Sequence, residues 1–421
     1  MAKRVVQIHE KLPLIESIPL SFQHLFAMFG ASVLVPMLFK IDPATVLLMN
    51  GIGTLLYIFL TKGKIPAFLG SSFAFLSPVF VVMAGKSYEA ALGGFVVSGL
   101  IFIAVALIFK YAGTEWIHVV FPPAAMGAIV AIIGLELAPV AAQMAGLVLD
   151  NNDPGLYMNP KALIVSIATA IIIIVGSVVF RGFLAIIPVL VGVVSGYIIA
   201  LFVGIVNFDP VMNASLFAIP TIYTPVFDIS AIITIIPAAL VVIAEHIGHL
   251  IVTGNIVGKD LTKDPGLHRS LMGDGVSTTL SGLIGSVPTT TYGENIGVLA
   301  ITKVYSVWVI GGAAVISIII SFFGKFSAII STVPKPVMGG VSLLLFGVIA
   351  ASGIRMLVEE KVDYNKPKNL ILTAVVLTVG LSGAHVQIGT VTLAGMALAT
   401  IVSIIVSLTF KVFEVTGIMN E

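Results

Sequence analysis

Cysteine is absent from the 421 residues, which excludes disulfides, thiolate metal sites and thiol nucleophiles and leaves chemistry to oxygen and nitrogen groups. Charge is scarce as well: Asp, Glu, Lys and Arg make up 10% of the chain, and 21 basic against 20 acidic residues leave a formal net charge of +1. With lysines scattered rather than striped, no nucleic-acid partner is expected. No G-x-x-x-x-G-K-[ST] phosphate loop occurs, so ATP cannot be the energy source. H-E-x-x-H is missing too, His246 and His249 have no sulfur ligand nearby, and Ser71 and Ser72 lack a neighbouring base in the sequence. An enzyme, a metal site and a nucleotide cofactor are therefore not expected. The N-terminal stretch has no apolar run ending in small residues, so it reads as an uncleaved, short cytosolic segment.

What the chain has in abundance is apolar length. Hydrophobic residues make up 58% of it and the mean hydropathy is +1.14, a composition suited to lipid rather than water. A span needs about 20 mostly apolar residues, and fourteen stretches approach or reach that length. They centre on residues 18–39, 45–61, 73–84, 90–109, 124–145, 162–180, 183–206, 231–254, 270–285, 293–302, 305–323, 337–357, 369–386 and 391–412, and the third and tenth are short. With the N-terminus inside, outer loops would carry only Lys40, Lys86, Lys161, Lys325 and Lys335. Clusters such as Lys3/Arg4/Lys11, Lys62/Lys64 and Lys259/Lys263/Arg269 would lie inside, as the positive-inside rule requires.

A weak repeat divides the chain. FPPAAMGAIVAIIGL from Phe121 resembles VPKPVMGGVSLLLFG from Val333, with Met126-Gly127 matching Met338-Gly339. An odd number of spans between the copies makes them cross in opposite senses, the inverted-repeat plan of many secondary transporters; the alternative is that Pro-x-x-Met-Gly is a common helix opening. Both short spans follow sequence that resists helix, Lys64–Gly70 and Ser286–Thr291, through Pro66, Gly70, Pro288 and a run of threonines. Non-helical backbone at membrane depth is tolerated where it lines an enclosed cavity. The half-helices after it would aim free N–H groups and a positive dipole end into that cavity; the alternative is plain loops with poorly bounded helices.

Ionisable residues inside apolar stretches mark function by default, and few occur here: His24, Glu136, Glu245, His246, His249, Asp274 and Glu294. Glu245 and His249 are four apart and share a helix face, while His246 points about 100° away. A carboxylate and an imidazole so stacked can hold and pass a proton, or simply glue helices together. Glu136 and Asp274 read as structural, satisfying helix ends or hydroxyls; the alternative is that either tunes the proton site.

The run Glu294-Asn295-Ile-Gly297-Val-Leu-Ala-Ile-Thr302-Lys303 resembles the signature of the nucleobase/ascorbate transporter family, and Gln23-His24 resembles its first-span motif. AEHIGHLIVTGNIV, SSFAF, PPAAMGAIVAIIGLELA and TYGENIGV are similar to the bacterial uracil permease branch, and the likeness runs from about Ser21 to Lys411. The resemblance implies an all-α polytopic membrane protein of fourteen spans in two inverted seven-span repeats, with extended segments before broken spans three and ten. Residues 1–115 and 230–330 would form a core domain (spans 1–4 and 8–11), and residues 116–229 and 331–421 a gate domain (spans 5–7 and 12–14).

It further implies that uracil is held by Glu245 and Glu294, by backbone N–H groups at Phe73 and Gly293, and by packing near Ala31, Tyr292 and Phe346. His249 and Glu245 would couple a proton, with Ser72, Asn295, Gln23, His24 and Ser342 in support. The sequence departs at Phe346, where a similar permease has tyrosine. Two N–H donors and two carbonyls on uracil complement two carboxylates and two helix-start N–H groups. The expected activity is uracil–proton import by alternating access across a bacterial inner membrane, with both termini cytoplasmic, lipid around the spans and a homodimer through the gate. A purine (xanthine or urate) transporter of the same family is the alternative, as is an anion carrier or channel on a similar fold.

Overall fold

The computed structural model describes residues 5–418, so Lys3 and Arg4 of the basic N-terminal cluster lie outside the described residues. The first apolar stretch folds as α1 (Leu14–Ala27) and α2 (Phe29–Phe39), separated at Met28. Next comes α3 (Pro43–Leu60), capped by the Asp42 carboxylate, which accepts the Ala44 N–H at 2.9 Å. Strand β1 (Leu69–Ser71) and a single tight turn at Phe73–Phe75 precede α4 (Leu76–Gly85). The run α5 (Tyr88–Ala112), α6 (Glu115–Val120), α7 (Pro123–Met144), α8 (Pro160–Val179) and α9 (Pro188–Val203) follows. The last three open on proline, whose missing N–H is no loss at a helix start.

A five-residue α10 (Asp209–Asn213) and an extended segment lead to α11 (Ile229–Val257) and α12 (Leu267–Ile284). β2 (Thr289–Thr291) then introduces α13 (Gly293–Thr302), and α14 (Val307–Ser321) bends by 87° into α15 (Gly324–Ser331). The chain ends with α16 (Lys335–Glu359), α17 (Pro367–Leu381), a hairpin of β3 (His385–Ile388) and β4 (Val391–Ala394), and α18 (Gly395–Thr416).

Each predicted apolar stretch meets a helix or helix pair. Among the described residues, eight of these are long and apolar enough to cross a membrane, or nine if the bent α14–α15 pair is one span. α4, α9 and α17 are apolar but short. α13 has 10 residues, and α12 is diluted by serine, threonine, glycine and Asp274. The hairpin differs from the sequence expectation of two spans meeting near residue 390: α17 stops at Leu381, and alternating His-Val-Gln-Ile and Val-Thr-Leu-Ala pair across a turn at Gly389.

The helices pack as two groups. In one, α3 lies against α12 and α14, α5 against α11 and α12, and α1 against α14. In the other, α7 lies against α16 and α17, α8 against α9 and α16, and α17 against α18. Glycines let the closest pairs touch backbone to backbone. A side chain on Gly134 would strike the Phe346 carbonyl and Ala350, and one on Gly353 would strike Ala131 and Gly127. Partners advance along α7 as they recede along α16, so these two helices, which carry the repeat, run antiparallel. Small residues at such contacts are what membrane helices use to gain van der Waals packing.

The segment between α10 and α11 runs extended over one end of the first group. Asp42 Oδ2 accepts the Thr221 N–H at 3.0 Å, and Val226 N–H reaches the Glu89 carbonyl at 2.8 Å. Lys86 pairs with Asp228 there, and its ammonium, hydrogen-bonded to the carboxylate, holds that carboxyl well below the usual range.

Candidate functional site

β1 and β2 pair antiparallel, Leu69 opposite Thr291, Gly70 opposite Thr290 and Ser71 opposite Thr289. All six residues are buried, so each strand supplies partners for the other's polar backbone. Hydroxyls from neighbouring helices complete the set. Thr54 Oγ1 accepts the Leu69 N–H at 2.9 Å, and Thr278 Oγ1 donates to the Thr289 carbonyl at 2.9 Å. That duty explains why α12 carries so many hydroxyls. The Tyr292 ring lies on Gly70, where a Cβ would stand 2.6 Å from it, so glycine is required for the close approach.

Each strand runs straight into a half-helix: β1 through Phe73 into α4, β2 through Tyr292 into α13. The first N–H groups of these helices have no intrahelical partner and carry the positive dipole end. Around them the protein is buried, yet Gly293 and Glu294 are exposed and Phe73, Glu245 and His249 are half-buried. This is an opening in an otherwise closed neighbourhood. Phe346 on α16 meets Phe73 edge-on, ring centroids 6.2 Å apart at 85°.

α11 brings two histidines to this region in different settings. His249 Nδ1 lies 2.8 Å from the Thr291 carbonyl oxygen, which can only accept; Nδ1 therefore carries a proton, and in the uncharged form of the ring the lone pair is at Nε2. Nε2 sits 4.0 Å from Glu245 Oε1, and a Cβ on Gly293 would stand 3.5 Å from it. Glu245 is within electrostatic reach of Glu294. His246, one position on from Glu245, faces away from this opening. Its Nδ1 is 2.8 Å from Asp274 Oδ2 and its Nε2 2.8 Å from Ser270 Oγ, all with side chains fully buried. Tyr57 Oη joins at 2.6 Å from Ser270 Oγ, and Thr290 Oγ1 donates to Asp274 at 3.1 Å.

The remaining expected residues lie on α1, α2, α13 and α16 and just ahead of the Phe73 turn. Asn295 Nδ2 donates to the His24 carbonyl at 3.0 Å, so His24 and Asn295 brace α1 against α13. Gln23 Oε1, Asn295 Oδ1, Ser72 Oγ and Ser342 Oγ are buried with no protein partner. Ser342 lies one turn before Phe346, and Ala31 is buried on α2, whose Gly30 abuts Val189 and Leu345. Asp274 meets His246 and Thr290 through Oδ2, and its Oδ1 is buried without a protein partner. Sequence reading missed the Thr291 carbonyl that orients His249, which only the β2 register makes visible. Cavities of about 340 Å³ beside Asp42 and Thr221 and about 180 Å³ between Phe22, Phe26 and Phe326 lie elsewhere and do not border Glu245 or Glu294.

Comparison with known proteins follows the same lines. A family model described as "Permease family" matches residues 15–389. A uracil permease of Paenibacillus larvae is 62% identical over 421 residues, covering 100% of both chains. A uracil permease of Escherichia coli K12 is 62% identical over 415 residues, 99% of this chain and 96% of that one. Among solved structures, the transmembrane domain of a cyanobacterium bicarbonate transporter, BicA, aligns with a TM-score of 0.65 at 15% identity, over 96% of this chain and 100% of that one. At that identity the likeness is one of fold.

Proposed function

Starting from its membership of the nucleobase/ascorbate transporter family, on the uracil permease branch, we propose that this chain imports uracil together with a proton by alternating access. The observation that carries the reading is the convergence of two half-helix starts with Glu245, His249 and Glu294 around one opening. Uracil presents two ring N–H donors and two carbonyl acceptors. Glu245 and Glu294 accept from the ring nitrogens, and N–H groups at Phe73 and Gly293 donate to the carbonyls. No strong donor or acceptor is then left unpaired in a dry site, where an unpaired one would cost about 1–3 kcal/mol. Phe73, Tyr292 and Phe346 enclose the ring, with Ala31 behind; Ser72, Ser342, Gln23, His24 and Asn295 hold the surroundings.

The proton enters the same arrangement. Two carboxylates facing one small neutral ring repel each other, and a shared proton removes that repulsion. Because the Thr291 carbonyl holds His249 Nδ1–H, the free Nε2 is the place where a proton leaving Glu245 is received. Proton and uracil thus each favour the binding of the other, the reciprocity that symport requires.

On this reading the fourteen helical stretches are fourteen spans in two inverted repeats, in a bacterial inner membrane with both termini cytoplasmic. The group holding α3, α5, α11, α12 and α14 is the moving core, and the group holding α7, α8, α9, α16, α17 and α18 is the gate through which two copies pair. The test is uptake of radiolabelled uracil by proteoliposomes under an inward-directed proton gradient, with xanthine, urate and sulfate as competitors. Accumulation that collapses with the gradient and is blocked by unlabelled uracil alone is expected. Accumulation indifferent to the gradient removes the proton, and competition by xanthine or sulfate moves the substrate to the purine or anion alternative.

A further inference from the structure

Side-chain hydrogen bonds across the seam between the two helix groups are few. Among the described residues the seam carries one side-chain hydrogen bond from a helix of one group to a helix of the other: Ser77 on α4 donates to Glu136 Oε1 on α7 at 2.5 Å. The other oxygen of the same carboxylate accepts the Met396 N–H, at the start of α18, at 2.9 Å. α18 has no side-chain cap of its own, so Glu136 serves as one, a negative charge at a helix N-terminus. The backbone is shaped around it. Gly395 takes a left-handed φ of +51°, and a Cβ there would overlap the Glu136 carboxylate.

The two arms differ in kind. Glu136 and Met396 belong to the same packing group, so that bond survives any movement of one group past the other. Ser77 belongs to α4, the half-helix whose lead turn presents Phe73 to the opening and which packs on α11. We propose that Glu136 is a positioning residue of the transport cycle. It latches the substrate-bearing half-helix α4 to the gate group, and the seam on the Lys86 side opens by releasing Ser77 while Met396 stays bound. The inference rests on the core-and-gate reading given above.

Because the chain has no cysteine, a single introduced one reports accessibility without background. Leu393→Cys, on β4 against α4 and α11, reports the seam, and Val376→Cys, buried within the second group, serves as control. Labelling by a membrane-impermeant maleimide is followed from the Lys86 side without uracil. Ser77→Ala is expected to raise the labelling rate at position 393 by about tenfold or more, the effect of losing one hydrogen bond to a charged group. Ser77→Thr, which restores the hydroxyl, is expected to return it to the parent rate, with position 376 unlabelled throughout. Unchanged or slower labelling at position 393 overturns the inference, as does equal labelling of both cysteines, which signals general loosening. Uracil uptake by the parent protein decides the proposed function separately, since labelling needs no substrate.

Discussion

Two histidines of α11 each meet a carboxylate, His249 that of Glu245 on the same helix and His246 that of Asp274 on α12, and the pairs are built oppositely. His246 and Asp274 close to 2.8 Å with both side chains at 0% exposure. His249 and Glu245 stand 4.0 Å apart, each about a quarter exposed beside the opening. The first pair is held by neighbours: Ser270, itself bonded to Tyr57, takes His246 Nε2, and Thr290 donates to Asp274 Oδ2, while Asp274 Oδ1 is buried without a protein partner. The second keeps a lone pair and a carboxylate oxygen uncommitted. On the proposed reading the same two residue types are cement in one place and working groups in another, and what separates the settings is burial and closeness of contact.

The largest effect that could break this contrast is expected at the closed pair. Asp274→Ala leaves His246 Nδ1–H and the Thr290 hydroxyl buried without acceptors, which costs on the order of 3 kcal/mol or more. Folded yield and Tm in detergent should collapse; a normal melting curve would mean the pair is not structural. Glu245→Gln tests the open pair and should leave Tm within a few degrees. Uracil affinity should fall by about tenfold or more and lose its dependence on pH between about 5 and 8. Calorimetry at several pH values measures both, and an unaltered affinity and pH profile would make the two pairs equivalent.

A subtler effect is expected at His249→Gln, which retains a donor for the Thr291 carbonyl but cannot receive a proton. Gradient-driven accumulation should drop by roughly tenfold while uracil exchange across the membrane at equal pH persists. Equal loss of both would mean that His249 only binds or braces. The smallest effect belongs to a third, solvent-facing pair, Lys86 and Asp228. Asp228 has its carboxyl depressed by Lys86, so its contribution is present above the ordinary carboxylate range and fades as pH falls below that range. Lys86→Met should lower Tm by about 1 °C or less at neutral pH, and the difference should vanish in acid. A large drop would give this exposed pair the weight assigned here only to the closed one.

Much of this was legible in the sequence because hydrophobic length and helix-breaking residues act locally. The apolar stretches announced the helices, and Pro66, Gly70, Pro288 and the threonine run announced the two extended segments before α4 and α13. Intervals of three and four residues on α11 put Glu245 and His249 on one face. What was not legible depends on distant partners. Helix periodicity shows His246 turned away from the face that Glu245 and His249 share, but not what it turns toward: Asp274 and Ser270, brought in by α12. Phe346 reaches Phe73 only because α16 packs beside the half-helix. The β3–β4 hairpin was hidden for another reason: its alternating residues are apolar enough to pass for the ends of two spans.

The register of β1 with β2 has a consequence for how the molecule is made. Leu69 waits for Thr291, so the strand leaves the ribosome more than two hundred positions before the strand that pairs with it. Until then β1 has the Thr54 hydroxyl for the Leu69 N–H but lacks its partner strand. The first half of this protein is therefore an unfinished object on its own, and a break in the polypeptide anywhere between those strands would have to be healed by reassembly before any pocket existed.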